Sequence, residues 1–121
     1  MVIDRYKFIF RPNDAVRVPF RYRTVNADKT RTPIILTGKT VLIRFRLRGA
    51  ASDLFVLDSS QPANEFGSRL RIVDEADGYW EIYVSETEKS RFPKGTGEWE
   101  MFLVEATGES DLLTEGVFVV K

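Results

Sequence analysis

Alternation of apolar and charged residues with a period of two, turn residues between the alternating segments, and helical signal for a single turn together predict an all-β chain. The expected architecture is an antiparallel β-sandwich of immunoglobulin-like type with seven or eight strands, a barrel being the structural alternative. Two stretches carry the pattern most plainly. Val16, Val18, Phe20 and Tyr22 alternate with Arg17, Pro19, Arg21 and Arg23, and Val41, Ile43, Phe45 and Leu47 alternate with Leu42, Arg44, Arg46 and Arg48. Successive side chains of an extended backbone point to opposite faces, so each stretch turns an apolar face to a core and a basic face to solvent.

Ahead of these, Tyr6, Phe8 and Phe10 alternate with Lys7 and Ile9 until Pro12 and Asn13 end the run. Residues 1–12 are expected to be an N-terminal arm or strand preceding a domain at 13–121. The segment is either a peripheral strand of that domain or a device that pairs with a neighbouring subunit by strand addition. Thr24 to Thr32 is polar and charged and is expected to be a loop. Gly38, in Leu36-Thr37-Gly38, supplies the positive φ of a tight turn before the Thr40 to Arg48 strand. Leu54 to Leu57 is a short strand, Asp58 to Gly67 a loop, and Arg69 to Val73 with Tyr79 to Val84 a hairpin around Asp77-Gly78. Ser85 followed by Glu88 has the spacing of a capping box, which predicts a helical turn near 86–91 that Pro93 and Gly95 stop. Glu98 to Val104 then alternates with Trp99, Met101 and Leu103 inward, and Leu113 to Val120 closes the chain as an apolar strand. Trp80 and Trp99 are expected in the core.

Composition narrows the chemistry. With 121 residues, 43% hydrophobic and 12% aromatic, the chain can bury one core, and its length fits one domain. The 18 basic residues balance 18 acidic ones, so no net field steers the molecule to nucleic acid or an anionic membrane. The absence of cysteine and histidine removes thiolate chemistry, disulfides, the commonest neutral-pH base and the commonest transition-metal ligand. No signal peptide or transmembrane stretch is read, so a soluble chain is expected. Glu81, Glu98, Glu100 and Glu105 are the residue type of a glycosidase pair, but on alternating strands they are expected on solvated faces. Asp74, Glu75 and Asp77 sit in a hairpin turn without the ligand pattern of a calcium loop. Gly95-Thr96-Gly97 lacks the lysine of a phosphate-cradling loop. The reading is therefore not an enzyme, with no cofactor, no metal and no catalytic residue.

Charge distribution is the remaining lead. Arg17, Arg21, Arg23, Arg44, Arg46 and Arg48 are expected on outward faces, extended by Arg69 and Arg71. The alternation turns Phe20 and Phe45 inward, which leaves these arginines without rings on which bases could stack, so nucleic acid is not the expected partner. In an immunoglobulin order, the two arginine strands are expected to share a sheet with Tyr79 to Val84, giving one basic outer face. The opposite face would carry Glu98, Glu100 and Glu115 beside Phe102, Val104, Val117 and Val119, a candidate contact patch. Opposite charge on opposite faces suits head-to-tail packing into a ring; charge pairing between neighbouring strands of one chain is the competing reading.

The order of short motifs carries a resemblance. Val18-Pro19-Phe20, Leu36-Thr37-Gly38-Lys39-Thr40 before a long strand, a hairpin, Ser85 with Phe92-Pro93-Lys94-Gly95, and a closing Glu115-Gly116-Val117-Phe118-Val119 resemble small immunoglobulin-like proteins of tailed bacteriophages and prophages. The pattern, which spans about Asn13 to Lys121, is also similar to the N-terminal domain of baseplate upper proteins. The resemblance implies a structural virion protein, made in the host cytoplasm and seated in a tail, baseplate, neck or fibre attachment. Its partners would be other virion proteins and further copies of itself, with no nucleic acid and no membrane. The expected contact residues are Arg17, Arg21, Arg23, Arg44, Arg46, Arg48, Glu98, Glu100 and Phe102, with Tyr6, Phe8 and Phe10 of the arm. A stand-alone module recognising carbohydrate or protein through the loops Asn26 to Thr32 and Asp58 to Gly67 is the alternative.

Overall fold

The computed structural model describes residues 6–12 and 14–121. Among the described residues the chain forms β1 (Phe8–Phe10), β2 (Val16–Arg21), β3 (Arg23–Val25), β4 (Arg31–Pro33), β5 (Thr40–Leu47), β6 (Phe55–Asp58), β7 (Arg69–Asp74), β8 (Tyr79–Val84), a single helical turn α1 (Glu86–Lys89), β9 (Gly95–Val104) and β10 (Ser110–Val120). The fold is all-β, as the alternation requires. Five strands form one sheet in the order β1-β10-β9-β5-β6, three form a second in the order β2-β8-β7, and β3 and β4 make a separate hairpin. β1 runs parallel to β10, and the other pairs are antiparallel.

The two larger sheets share one core. Val18, Phe20, Leu70, Trp80 and Ile82 enter it from the smaller sheet, and Val41, Ile43, Phe45, Trp99, Met101 and Phe118 from the larger. Phe20 links the two tryptophans, stacking on Trp80 at 6.1 Å and meeting Trp99 at 6.3 Å. Each such side chain, fully removed from water, contributes about 1.5–3 kcal/mol. Along the β9–β10 ladder two aromatics lie opposite glycines, Trp99 across from Gly116 and Phe118 across from Gly97. A Cβ on Gly116 would stand 2.7 Å from the Trp99 indole nitrogen, and one on Gly97 2.5 Å from the Phe118 ring. These glycines are needed because the rings occupy their side-chain space.

Two expectations about local structure are corrected. Phe8 and Phe10 are 0% and 1% exposed in this chain's own core, where β1 pairs with β10, so they are not free to contact a neighbouring subunit. Burial of both rings against Phe45 and Trp99 ties the segment down. Residues 1–5 of the expected arm lie outside the described residues, as does Asn13. The expected loop Thr24 to Thr32 is largely the β3–β4 hairpin. Its turn closes through Asn26, whose N–H donates to the Thr30 carbonyl at 2.8 Å and whose Nδ2 donates to Thr32 Oγ1 at 2.8 Å, while Lys29 takes φ 69°. Polar composition hid the pairing, because these strands contribute little to the core.

The helix begins where the sequence places it and ends sooner, at Lys89. Ser85 Oγ accepts from the Glu88 N–H at 3.0 Å, the first half of the capping box. The reciprocal bond does not form, because Ser68 Oγ already takes the Ser85 N–H at 2.9 Å. The Glu88 carboxylate accepts instead from Asn64 Nδ2 at 2.7 Å, which fastens α1 to the β6–β7 connection. Lys89 is buried, its ammonium donating to the Asp14 carbonyl, and burial pushes its pKa below the ordinary 10.5 against the opposing pull of Asp14 and Glu86.

Candidate protein interface

The outer face of the five-stranded sheet follows from alternation and register. Residues directly opposite on paired strands point to the same side, so successive cross-strand rows can be read off. One row is Leu112, Phe102, Leu42 and Asp58; the next is Glu115, Glu100, Arg44 and Val56; the third is Val117, Glu98 and Arg46. The face is apolar at one end and charged at the other. Leu112 is 48% exposed and Val56 42%, and Val56 lines a shallow hollow of about 340 Å³ with Leu42, Phe102, Val104, Arg44 and Ser110. The charged end holds a second hollow of about 510 Å³ between Arg44, Arg46, Arg48, Glu98, Glu100 and Glu115.

Asp53 organises the basic column. Its carboxylate accepts from Arg44 Nε at 3.1 Å and from Arg46 Nη2 at 3.2 Å, one oxygen to each guanidinium. Arg48 lies 3.9 Å from Glu98, a loose and largely solvated pair. Glu100 and Glu115 stand directly across from each other, like charges in cross-strand register, and neither has an ion-pair partner among the described residues. Sequence reasoning did not single out Asp53, since nothing in the spacing shows that its turn folds back over β5.

The outer face of the three-stranded sheet is built differently. Its rows are Arg17, Tyr83 and Arg69, then Pro19, Glu81 and Arg71, then Arg21 and Tyr79. The Arg17 and Arg21 guanidinium carbons lie 4.7 and 4.2 Å from the Tyr83 and Tyr79 ring centroids. Arg17 also pairs with Glu81, and Arg21 and Arg23 share Asp77. Arg23, expected on the outward face, is half-buried at the start of the hairpin. Arg17, Arg21 and Arg23 are therefore held by rings and carboxylates of β8 and the β7–β8 turn.

The expected separation of a basic face from an acidic one is corrected by the register. Arg17 and Arg21 do share a sheet with β8, but Arg44 pairs with Glu100 and Arg46 with Glu98 on β9. Alternation decides which face a side chain takes; it does not decide which sheet the strand joins. The chain crosses between sheets after β4, so the second arginine strand lies beside the glutamate strand. The opposition between the faces is weaker than expected: the three-stranded face keeps Arg17, Arg21, Arg69 and Arg71 against Glu81, while the five-stranded face mixes Arg44, Arg46 and Arg48 with Asp53, Glu98, Glu100 and Glu115. Of the other expected contact residues, Tyr6 is 40% exposed while its carbonyl accepts from the Trp99 indole at 2.8 Å, Val117 is 41% exposed, and Phe102 is half-buried.

The other chemistry-bearing candidates are engaged in local structure. Asp74 accepts from the Ala76 and Asp77 N–H groups in the β7–β8 turn, and Glu81 lies on a different sheet from Glu98 and Glu100. Among the described residues no group of three or more acidic side chains is placed to hold a metal ion, and no helix is long and apolar enough to cross a membrane. Of the two candidate loops, Asn26 to Thr32 is closed by its own hydrogen bonds, and Asp58 to Gly67 borders a groove of about 270 Å³ between β6 and β7. No protein-family model matches the chain, and no curated protein matches it.

Proposed function

We propose that the chain is an immunoglobulin-like structural module that works by protein contact, as an adaptor in a bacteriophage tail, baseplate, neck or fibre attachment. The strand order supports the fold reading. β10-β9-β5-β6 corresponds to the G-F-C-C′ sheet of a variable-type domain, and β2-β8-β7 to B-E-D. The observation that carries the contact reading is the apolar band of Leu42, Val56, Phe102, Val104 and Leu112 on the outer sheet face, exposed or half-buried beside the arginines that Asp53 holds. Beside that band Asp53 holds the Arg44 and Arg46 guanidinium groups, which suits a rigid surface presented to a partner rather than a site of bond chemistry. In the assembled particle the module would join other virion proteins without cofactor or metal.

The test is composition of the particle. Tails purified from the phage or induced prophage encoding the chain are analysed by quantitative mass spectrometry. Recovery of the chain at a fixed ratio to other tail proteins is the expected result. Its absence from particles that carry intact tails overturns the virion reading.

A further inference from the structure

We infer that the outer face of the five-stranded sheet pairs with the same face of a second copy, about a two-fold axis parallel to the strands and running between β5 and β9. The inference rests on the reading of this face as a contact surface and names its occupant. A rotation of that kind turns the sheets face to face, keeps each row level with the same row of the other copy, and lays the β5 column over the second copy's β9 column. Leu42 then meets the second copy's Phe102, Arg44 its Glu100 and Arg46 its Glu98, each contact occurring twice. The apolar end lands on the apolar end, and the basic column lands on the acidic one. That self-complementarity is what an isologous interface requires, and strand register alone produces it.

Charge also supports this occupant. Glu100 stands in its row between Glu115 and Arg44, and with the Arg44 guanidinium bonded to Asp53 it has no ion-pair partner among the described residues, so a guanidinium from a second copy would offset the Glu100–Glu115 repulsion. Asp53 leaves guanidinium nitrogens of both β5 arginines available, with the Arg46 side chain 48% and the Glu98 side chain 68% exposed.

The test uses charge exchange between molecules. Mass is followed by sedimentation and light scattering from micromolar to millimolar concentration for the wild type, Arg46→Glu, Glu98→Arg and an equimolar mixture of the two variants. Circular dichroism establishes that each variant is folded. The wild type is expected to approach twice the 13.9 kDa of one chain. Each variant alone sets like charges together and should raise the dissociation constant at least about tenfold, or about 1.4 kcal/mol. The mixture should recover pairing, because the carboxylate introduced on β5 of one variant meets the guanidinium introduced on β9 of the other; pairing within one chain cannot produce that recovery. A wild type that stays at 13.9 kDa at millimolar concentration, or a mixture no tighter than its components, overturns the inference. A chain that is monomeric yet present in tails refutes self-pairing and leaves the adaptor function standing, whereas a dimer absent from tails does the reverse.

Discussion

Replacing Gly116 by alanine isolates one feature of the core, the aromatic that fills a glycine's side-chain space. The added Cβ would lie 2.7 Å from the Trp99 indole nitrogen and 2.7 Å from the Tyr6 carbonyl oxygen, the two atoms joined by the 2.8 Å indole hydrogen bond. Trp99 is 0% exposed, so the ring has nowhere to move without displacing Phe8 or Phe20. Overpacking of this kind costs about 1–3 kcal/mol. Losing or bending the indole bond adds about 0.5–1.5 kcal/mol. Alanine's stiffer unfolded chain returns about 0.4–1 kcal/mol. The net expectation is a destabilisation of about 2–3 kcal/mol, or a melting temperature lower by about 8–12 °C for a chain of this size. Urea unfolding followed by far-ultraviolet circular dichroism measures it without relying on Trp99 fluorescence. Gly38→Ala is the control, because Gly38 has φ 76° but nothing within 4 Å of its missing Cβ. Its cost should be about 1 kcal/mol, from the left-handed backbone alone. A Gly116→Ala protein as stable as wild type, or less affected than Gly38→Ala, would refute the steric argument.

Three further outcomes are expected. Phe8→Ala should destabilise by about 3–5 kcal/mol, as a buried core ring does, and a loss below about 1 kcal/mol would show that β1 is not part of the core. Ser85→Ala removes the acceptor for the Glu88 N–H and the donor to the Phe66 carbonyl, and should lower unfolding free energy by about 2 kcal/mol, read by denaturant titration. Hydrogen bonds from the Thr30 hydroxyl and N–H hold the Asp28 carboxyl below its ordinary 3.8. The folded value is the lower one, so the stabilisation is present above pH 3.8 and is lost as pH falls through the folded pKa. Thr30→Val should move the Asp28 titration, followed by carboxyl NMR, back toward 3.8; an unchanged titration rules out the hydroxyl as the leading cause.

What the sequence determined by itself is the strands of the two large sheets and the side their residues face; the polar β3–β4 hairpin escaped it. Period-two alternation in β2, β5, β8 and β9 placed Phe20, Phe45, Trp80, Trp99 and Met101 in the core, and all are buried. Ser85 and Glu88 located the helix start to the residue, since a cap is a local hydrogen bond between near neighbours. The tertiary structure alone decided which strands are neighbours. Arg44 and Arg46 carry the same local pattern as Arg17 and Arg21, yet β5 lies beside the glutamates of β9 and β2 beside the tyrosines of β8. Register between strands distant in sequence is set by how two sheets close over one core, an interaction no local pattern encodes. The same closure turned Phe8 and Phe10 from an expected contact arm into core, and brought Asp53 onto the arginines of β5. Faces follow from the chemistry of single residues; neighbours follow from the packing of the whole chain.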